Sequence, residues 1–572
     1  MIPARVETRK HPVERKSNDI RLHLACFLVA LAARWIDGVF AFSQTPSQQK
    51  LALQLDRSAP SDVKPVKRVC IVGAGIAGLS LAHALTNSPS LMEGISIPEG
   101  DLEVSIFDSR KSLDYTAGAG VQLNGGMACL GKINPDLQRA VIEGAIPISY
   151  IRGRHKSWSS KGDVDKLWDY SVEELIRSDE TARQELLDDE GKALWYGIMR
   201  GALQEILLEK LPRSVQVSFD KTVTGISAPN NQIADGGAYC KFLDGSLEGP
   251  FDLIVGCDGI KSALKEYVDR ENISEDPSKR EGSAAALYSG IRINYAVQEN
   301  GGVENTLPQP LQLCFADGGY ALTGIYGNGK HRPPSRCFFV TSLDENYNGP
   351  FKRRIGDVVP EQQQMTSNVD SNEVLENADW SQNVRRPKAE TREKMLQQIK
   401  IYGVSDSTAV STIENADRFF ELGVYFHNPI NLSGWSKEVP STGGSFTVLC
   451  GDAAHAMPPF LGQGANQAIQ DAWSLATRLY AYNSKVGRAQ LDKMSNDDEE
   501  CEKPSLKKEL RLYQKTRFFP TASITVKATI IGYLETGGRN GFYAKFRDVF
   551  FKLLDFASVP KRVLLDSSIP KV

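Results

Sequence analysis

Three short stretches of the chain carry residue types and spacings that can do chemistry. The first is Gly73-Ala-Gly75-Ile-Ala-Gly78, which follows directly on the β-branched run Arg68-Val-Cys-Ile-Val72. Leu79 to Leu85 then continues with helical apolar spacing. This is strand, tight glycine turn, helix. Gly73 permits the turn, Gly75 lets a pyrophosphate approach the backbone, and Gly78 lets helix and strand close on each other. The helix start offers free N–H groups and the positive end of its dipole to phosphate. A glycine triplet alone is a weak signal, but its flanks here are those that a dinucleotide site requires. The run Leu102-Glu-Val-Ser-Ile-Phe-Asp108 reads as the next strand and ends in an acid suited to ribose hydroxyls. Asn87 to Gly100 reads as an inserted loop, which carries Asp108 further from Gly78 than the usual ~20 residues. Arg110 would face either the nucleotide or solvent.

The second stretch is Phe251-Asp-Leu-Ile-Val-Gly256-Cys-Asp258-Gly259-Ile-Lys-Ser262, an apolar strand followed by Asp-Gly and a helix start. The third begins at Phe446-Thr-Val-Leu-Cys-Gly451-Asp452-Ala-Ala-His455 and continues as Ala-Met-Pro458-Pro459-Phe-Leu-Gly462-Gln463-Gly464-Ala-Asn466. It too is strand, Gly-Asp and a Pro/Gly-rich loop, and a long helix should run from about Asn466 to Tyr482. A single Gly-Asp or Asp-Gly pair is most often a plain turn. Their order, each after a strand pattern, is what gives them weight.

On these residues the sequence resembles the single-component flavoprotein monooxygenases, the para-hydroxybenzoate hydroxylase-like family, over roughly residues 67–535. Smaller matches fall in order: Gly120-Val-Gln122-Leu, Met199-Arg200-Gly-Ala-Leu203, Tyr425 and Trp435 before the Gly-Asp strand, and Tyr513-x-x-x-Arg517. The resemblance implies FAD as cofactor and NAD(P)H as a transient co-substrate. It implies that Gly73, Gly75 and Gly78 cradle the pyrophosphate and that Asp108 takes the adenosine ribose. Gln122 and Arg200 would lie along the ribityl-diphosphate chain. Asp258 and Gly259 would serve FAD and the approaching nicotinamide, and Gly451 and Asp452 would hold the ribityl hydroxyls. Pro458, Gly462, Gln463 and Gly464 would line the isoalloxazine, and Asn466 would bind the cofactor. Two departures stand out: Asn124-Gly125-Gly126 replaces the family's usual Pro-Asn-Ala-type helix start, and Lys265 stands where an Arg is common.

The implied reaction consumes NAD(P)H and O2 and inserts one oxygen atom into a small hydrophobic or aromatic substrate. The flavin carries the hard chemistry while the protein positions substrate and excludes water. An aromatic or quinone ring is one substrate class. An isoprenoid ring alkene, as epoxidised by zeaxanthin epoxidase of the same family, is the alternative. A flavin-dependent isoprenoid reductase and a non-catalytic FAD protein are more distant readings. A phenolic substrate would want a base beside it, and the sequence nominates none.

The elements that must position these groups follow from the same patterns. The fold class is α/β: a Rossmann-like FAD-binding domain (GR2-type) interleaved with an antiparallel β-sheet substrate domain, plus C-terminal helices. Residues 67–275 and 440–482 form the first and 276–439 the second. The second holds β-patterned runs at Ala286–Tyr295, Leu311–Ala316, Tyr320–Tyr326 and Arg336–Ser342, a polar insertion at Lys352–Ala378 and a helix near Glu393–Ile401. Residues 483–506 read as a polar, solvated insertion, and 507–572 as helical, with Leu510 to about Leu534 one helix. Phe542, Tyr543, Phe546, Val549 and Phe550 recur at helical spacing among Lys545, Arg547 and Lys552, as in a core-packed amphipathic helix or one that touches a membrane.

Composition sets the outer limits. Of 572 residues, 41% are hydrophobic and 24% charged, an ordinary globular balance. Sixty-seven Lys and Arg against 70 Asp and Glu give a net charge of −3, with no bulk attraction to nucleic acid. Nine scattered Cys and seven His show no metal-ligand spacing, so no metal is expected. Residues 1–66 read as an address: a basic start, a short apolar run from Leu22 to Ala33, and a Ser/Gln/Pro-rich stretch. A signal peptide followed by a plastid transit peptide fits best, with an uncleaved anchor, a secretory route or a mitochondrial presequence as alternatives.

Overall fold

The computed structural model describes residues 64–88, 102–116, 118–155, 166–228, 236–269, 286–299, 310–316, 319–343, 388–402, 404, 407–430, 434–495, 503–536, 547 and 558–572. The chain divides into two units, Met1–Ser61 and Asp62–Val572, and all described residues lie in the second. The segment up to residue 63 that was read as an address, residues 89–101 and 344–387 and most of the aromatic stretch at 541–561 lie outside the described residues.

The dinucleotide strand Arg68–Val72 lies inside a six-stranded sheet. It pairs in parallel with Glu103–Phe107 on one side and with Leu253–Gly256 on the other. Leu253–Gly256 in turn pairs in parallel with Phe446–Leu449. All three chemistry-bearing stretches therefore leave neighbouring parallel strands in the same direction. Ligands gather at the carboxyl ends of such strands. These strands read as unbroken apolar runs because both faces are covered: every residue of Leu253–Gly256 and Phe446–Leu449 is buried. Helix Ile76–Thr86 packs against the long helix Gly464–Ser495 on this sheet.

The second large sheet has seven strands in the order Arg418–Phe426, Leu287–Gln298, Ser335–Leu343, Gly319–Tyr326, Leu311–Ala316, Tyr150–His155 and Lys166–Ser171. The four sequence-expected runs are present. The last two strands correct the expected layout, since they come from inside the segment assigned to the dinucleotide domain. Tyr150–His155 joins in parallel to Leu311–Ala316, and the other pairings are antiparallel. The strand is polar because it lies near the sheet's end, where Arg152 and Arg154 pair with Asp169 on the edge strand.

Three other boundaries move. Lys64 to Val66, set aside as address, belong to the folded body: Val66 is buried, and Asn483 bonds both its N–H and its carbonyl, at 2.9 and 2.8 Å. Asn483 itself was expected in a solvated loop, yet the long helix runs on through it to Ser495. The C-terminal helix Leu506–Thr536 is longer than its apolar pattern. Within the proposed membrane-facing stretch, Arg547 is buried and donates to the carbonyls of Ala316 and Glu535, so this residue supports the core-packed reading. Among the described residues no helix is long and apolar enough to cross a membrane.

Candidate active site

The glycine loop divides its labour as its spacing requires. Gly73 has φ +107°, and a Cβ there would stand 2.4 Å from the Cys257 carbonyl oxygen. Gly78 is equally constrained, with 2.0 Å from a Cβ to the Gly73 oxygen. Gly75 differs, since a Cβ there would meet no protein atom within 4 Å. Two glycines let the backbone close up and the third leaves open space. Gly75 also caps helix Ile76–Thr86 without a side-chain bond, and the first turn holds no acid. Its N–H groups thus present a positive end for an anionic group.

Asp108 sits at the end of its strand, buried, but its carboxylate is already occupied. It accepts from the Ala74 N–H at 2.7 Å and from Arg110 through the backbone N–H and the guanidinium, at 2.8 to 2.9 Å. Burial pushes its pKa up, and Arg110 more than offsets that, leaving it below its ordinary value. The structure thus ties Asp108 to the glycine loop and to Arg110. Arg110 also bonds the Ala74 carbonyl and so braces the turn itself.

Asp258 lies beside this turn. One carboxyl oxygen accepts from the Ala263 N–H at 2.8 Å, so Asp258 fastens the start of helix Ala263–Asp269. Its other oxygen is buried with no partner among the described residues, and burial raises its pKa. Gly259 has φ +78° and open space where a Cβ would be. Lys265, where the family often has Arg, is buried and paired with Asp269 at 3.4 Å.

In the third stretch Gly451 takes φ +66°, and a Cβ there would press on Ala77 at 2.8 Å. Asp452 opens the short helix Asp452–His455, and its carboxylate has no hydrogen-bond partner among the described residues. Burial raises its pKa, opposed by the charges of His455 and Arg200. Gly462 is left-handed and lies over Gln122, 3.3 Å from a Cβ to the amide nitrogen. Gln122 also accepts from the Trp195 indole at 3.3 Å. Gln463 is buried with an unpartnered amide oxygen, while Pro458 and Gly464 bracket the single turn Pro459–Leu461.

The side chain of Asn466 is spent within the protein. Its amide donates to the carbonyls of Gln122 and Gly462 and accepts from the N–H groups of Asn124 and Gly126. All four of its hydrogen-bonding positions are thereby used, so it clamps two loops together. This also explains Asn124-Gly125-Gly126: a Cβ at Gly126 would stand 2.9 Å from Asn466, and one at Gly125 2.2 Å from the Ser568 carbonyl. The unusual helix start makes room for the long helix and the C-terminal segment.

Beneath Gly451 lies a buried network that the sequence reading passed over. Asp471 accepts from the Gly451 N–H at 2.9 Å, from His455 Nε2 at 2.5 Å and from Arg517 Nε at 2.7 Å. Arg517 spends its other donors on Gln470, Gln467 and the Lys571 carbonyl. Asp471 and Arg517 are fully buried. Burial pushes the Asp471 carboxyl up, but His455 and Arg517 together hold it below its ordinary value. The Tyr513-x-x-x-Arg517 spacing was visible in sequence, but the partner of its Arg was not.

The described residues fit a flavin dinucleotide on independent observations. A glycine cradle closes where backbone must meet backbone and opens at Gly75. Two buried acceptors, on Asp258 and Gln463, lack partners, and Asp452 is free to take hydroxyls. A family model described as FAD binding domain matches residues 444–503, which span the Gly-Asp stretch and the long helix. Salicylate hydroxylase of Pseudomonas putida is 25% identical over 428 residues, 74% of this chain and 79% of that one. A 3-amino-4-hydroxybenzoate 2-monooxygenase of Streptomyces platensis is 25% identical over 434 residues, 74% of this chain and 82% of its own. In fold, the chain is similar to Klebsiella pneumoniae HpxO solved with FAD and uric acid: TM-score 0.58 and 16% identity, covering 88% of this chain and 97% of that one. The comparisons support a single-component FAD-dependent monooxygenase. A salicylate hydroxylase substrate complex shares the fold at TM-score 0.52 and 17% identity, over 89% of this chain and 99% of its own.

Over the Pro459–Leu461 turn lies one face of the seven-stranded sheet. Ile291, Ile293, Tyr295 and Val424 form its buried centre, with Phe339, Phe420, Leu422 and Phe460 packed around them. Tyr295 stacks on Phe420 at 4.6 Å and meets Phe339 edge-on at the same distance. Phe460 reaches from the turn to Tyr320 at 6.3 Å. It also fills the notch at Gly532, where a Cβ would be 2.2 Å from its ring. None of these aromatic positions carried a sequence signal beyond strand alternation.

Proposed function

We propose that this monooxygenase hydroxylates an aromatic ring bearing a hydroxyl group, with NAD(P)H as electron donor. The observation that carries this reading is the aromatic sheet face of Tyr295, Phe339 and Phe420, which meets Phe460 beside the Pro458–Gly464 loop. Flat rings stack on or stand edge-to such a surface. The names of the relatives, which act on salicylate and on an aminohydroxybenzoate, point to the same class.

The chain's own residues would do four things. Gly75 and the open start of helix Ile76–Thr86 would hold the pyrophosphate, and Asp452 with Arg200 nearby would bind the ribityl chain. The partnerless oxygens of Asp258 and Gln463 would accept hydrogen bonds from the cofactor or the visiting nicotinamide. The Pro458–Gly464 loop would set the ring plane, and the apolar sheet face would exclude water while orienting the substrate. Bound FAD supplies the redox chemistry, delivering one oxygen atom of O2 after reduction by NAD(P)H.

The test is turnover of the holoenzyme with NADH and NADPH in 18O-labelled O2 against hydroxybenzoates, quinones and a carotenoid. A phenolic product heavier by one labelled oxygen atom is expected. Label appearing only in an epoxidised carotenoid would replace this reading with alkene epoxidation. For the address, we propose delivery to a plastid. Residues 1–66 fused to a fluorescent protein should reach that compartment, and a purely secretory or mitochondrial pattern would refute it.

A further inference from the structure

A pair of thiols joins the dinucleotide strand to a small neighbouring sheet. Cys70 lies in the middle of strand Arg68–Val72, opposite Ser105 on one side and Ile254 on the other. Cys240 lies in strand Ala238–Phe242, the centre of a three-stranded sheet completed by Val223–Ser227 and Leu247–Phe251. The two cysteines are 170 residues apart, yet their Sγ atoms stand 3.4 Å from each other, and both side chains are fully buried. Phe242, two residues on from Cys240, meets Phe107 edge-on at 5.0 Å. Phe251, from the next strand, meets the same ring at 6.3 Å. One face of the small sheet thus packs on the parallel sheet, as alternation along its strands allows, and the two sulfurs touch within that contact.

We propose that Cys70 and Cys240 are a dithiol that hydrogen peroxide closes to a disulfide. The sulfurs must approach by about 1.4 Å to reach bonding distance, which side-chain rotation and a small shift of the three-stranded sheet can share. Cys70 is fixed by strands paired on both sides, whereas Cys240 belongs to a sheet of only three strands, so Cys240 is the thiol that peroxide reaches first. The Cys240 thiol gives up its proton, and its sulfur attacks one peroxide oxygen. The S–O bond forms as the O–O bond breaks, and the leaving hydroxide takes up a proton and departs as water. The Cys70 sulfur, freed of its proton, then attacks the Cys240 sulfur. The S–S bond forms, the S–O bond breaks, and the second oxygen leaves as water. Two thiols lose two electrons, and one peroxide is reduced to two waters. Hydrogen peroxide is the product when O2 takes two electrons without oxygenating a substrate, so a monooxygenase meets it at its source.

Burial sets the rate. It pushes the Cys70 thiol well above its ordinary value, and the neighbouring Cys240 adds to the effect. The thiolate is the nucleophile, so closure is slow at neutral pH and quickens as pH rises. The pair therefore answers sustained peroxide rather than a passing trace. The consequence lies in what the bond joins. Strand Arg68–Val72 runs into Gly73, and strand Leu247–Phe251 runs through Asp252 into Leu253–Gly256 and on to Asp258. A link from Cys70 to Cys240 ties the supports of both turns together and constrains the unfolded chain across a long loop.

The experiment treats holoenzyme with hydrogen peroxide at pH 7 and pH 9, quenches with an alkylating reagent and maps the peptides by mass spectrometry. A cross-linked peptide joining Cys70 to Cys240, lighter than the two thiol peptides by two hydrogen atoms, should form, faster at pH 9, and vanish on adding dithiothreitol. Peroxide-treated protein should need more urea to unfold than the same sample after dithiothreitol. Peroxide added in urea should show no preference for this pair among the nine cysteines, because the fold supplies the proximity. Cys70→Ala should lack the cross-link and hold Cys240 as a sulfenic acid that dimedone captures. If that variant fails to fold, the wild-type map alone decides. Recovery of both residues as alkylated thiols after prolonged peroxide, or a bond between other cysteines in its place, overturns the proposal. A cross-linked protein no harder to unfold than the reduced one refutes the locking role.

Discussion

The buried pair under the Gly-Asp stretch permits a sharp energetic prediction. Asp471 and Arg517 are both fully buried, 2.7 Å apart, and Arg517 has five hydrogen bonds for its five donors. Removing one partner leaves a charge stranded in a low-dielectric interior, at a cost of about 3–5 kcal/mol. Arg517→Met should cost that much, because Asp471 keeps only His455 and the Gly451 N–H. Asp471→Asn should cost a similar amount, because the guanidinium then lacks a counter-charge. The double variant carries neither buried charge, and a buried pair exchanged for neutral groups is often close to neutral in stability. Its loss should therefore fall short of the sum of the single losses by at least about 2 kcal/mol, a coupling far above the ~0.5 kcal/mol scatter of independent sites.

Urea unfolding of the four proteins, followed by tryptophan fluorescence, measures the cycle. The pH dependence has a fixed sign. Asp471 is held below its ordinary 3.8, so its contribution is complete above that pH and is lost as pH falls through the folded value. Arg517→Met should weaken this acid dependence. Losses that add within ~0.5 kcal/mol would refute the argument that the two side chains act as one unit. FAD affinity should fall in both single variants, since Asp471 also fastens Gly451 and His455 on either side of Asp452.

Three further predictions follow from the site. Gly75→Ala should fold with near-wild-type stability, because its Cβ meets no protein atom, yet purify depleted of FAD; Gly73→Ala, which strikes the Cys257 carbonyl at φ +107°, should lose both stability and FAD. Thermal melts with and without added FAD separate the two outcomes. Asp452→Ala should purify largely colourless with its fold intact by circular dichroism, and a variant with wild-type flavin absorbance would show that the Gly-Asp acid is misassigned. Glu535→Gln should be more stable than the wild type by about 3–5 kcal/mol above pH 8 and equal to it below pH 4.5, since a raised acid loses its stabilising contribution as pH rises from 4.5 through about 8. Matched denaturation curves at the two extremes check the sign.

What was legible in the sequence was whatever phosphate and backbone geometry force into contiguous residues. Gly73 and Gly78 must lack side chains because backbone atoms stand about 2 Å from where a Cβ would be, and such a requirement shows in a single loop. Strands buried on both faces, such as Leu253–Gly256, announce themselves as apolar runs. Less legible was anything decided by a distant partner. Tyr150–His155 carries two arginines and looks unlike a sheet strand until Asp169 pairs with them. Asn483 looks like the start of a polar loop until Val66 supplies its backbone bonds. The partners of the Asn466 amide, Gln122, Gly462, Asn124 and Gly126, include three that lie some 340 residues away, so its clamping role has no local signal.

Two buried acids of the C-terminal half are held in opposite electrostatic settings. Asp471 receives three donors and a full counter-charge, and its carboxyl is depressed despite complete burial. That arrangement makes a fixed anion, suited to locking the Gly451–His455 turn and unsuited to exchanging protons near neutral pH. Glu535 is buried to a similar degree, but one of its oxygens has no hydrogen-bond partner among the described residues, and burial lifts its pKa to about 8. Nothing in packing demands that asymmetry, because a glutamine would fill the same space without the cost of burying an ionisable group. The stabilisation expected of Glu535→Gln at high pH measures the cost of burying that ionisable group.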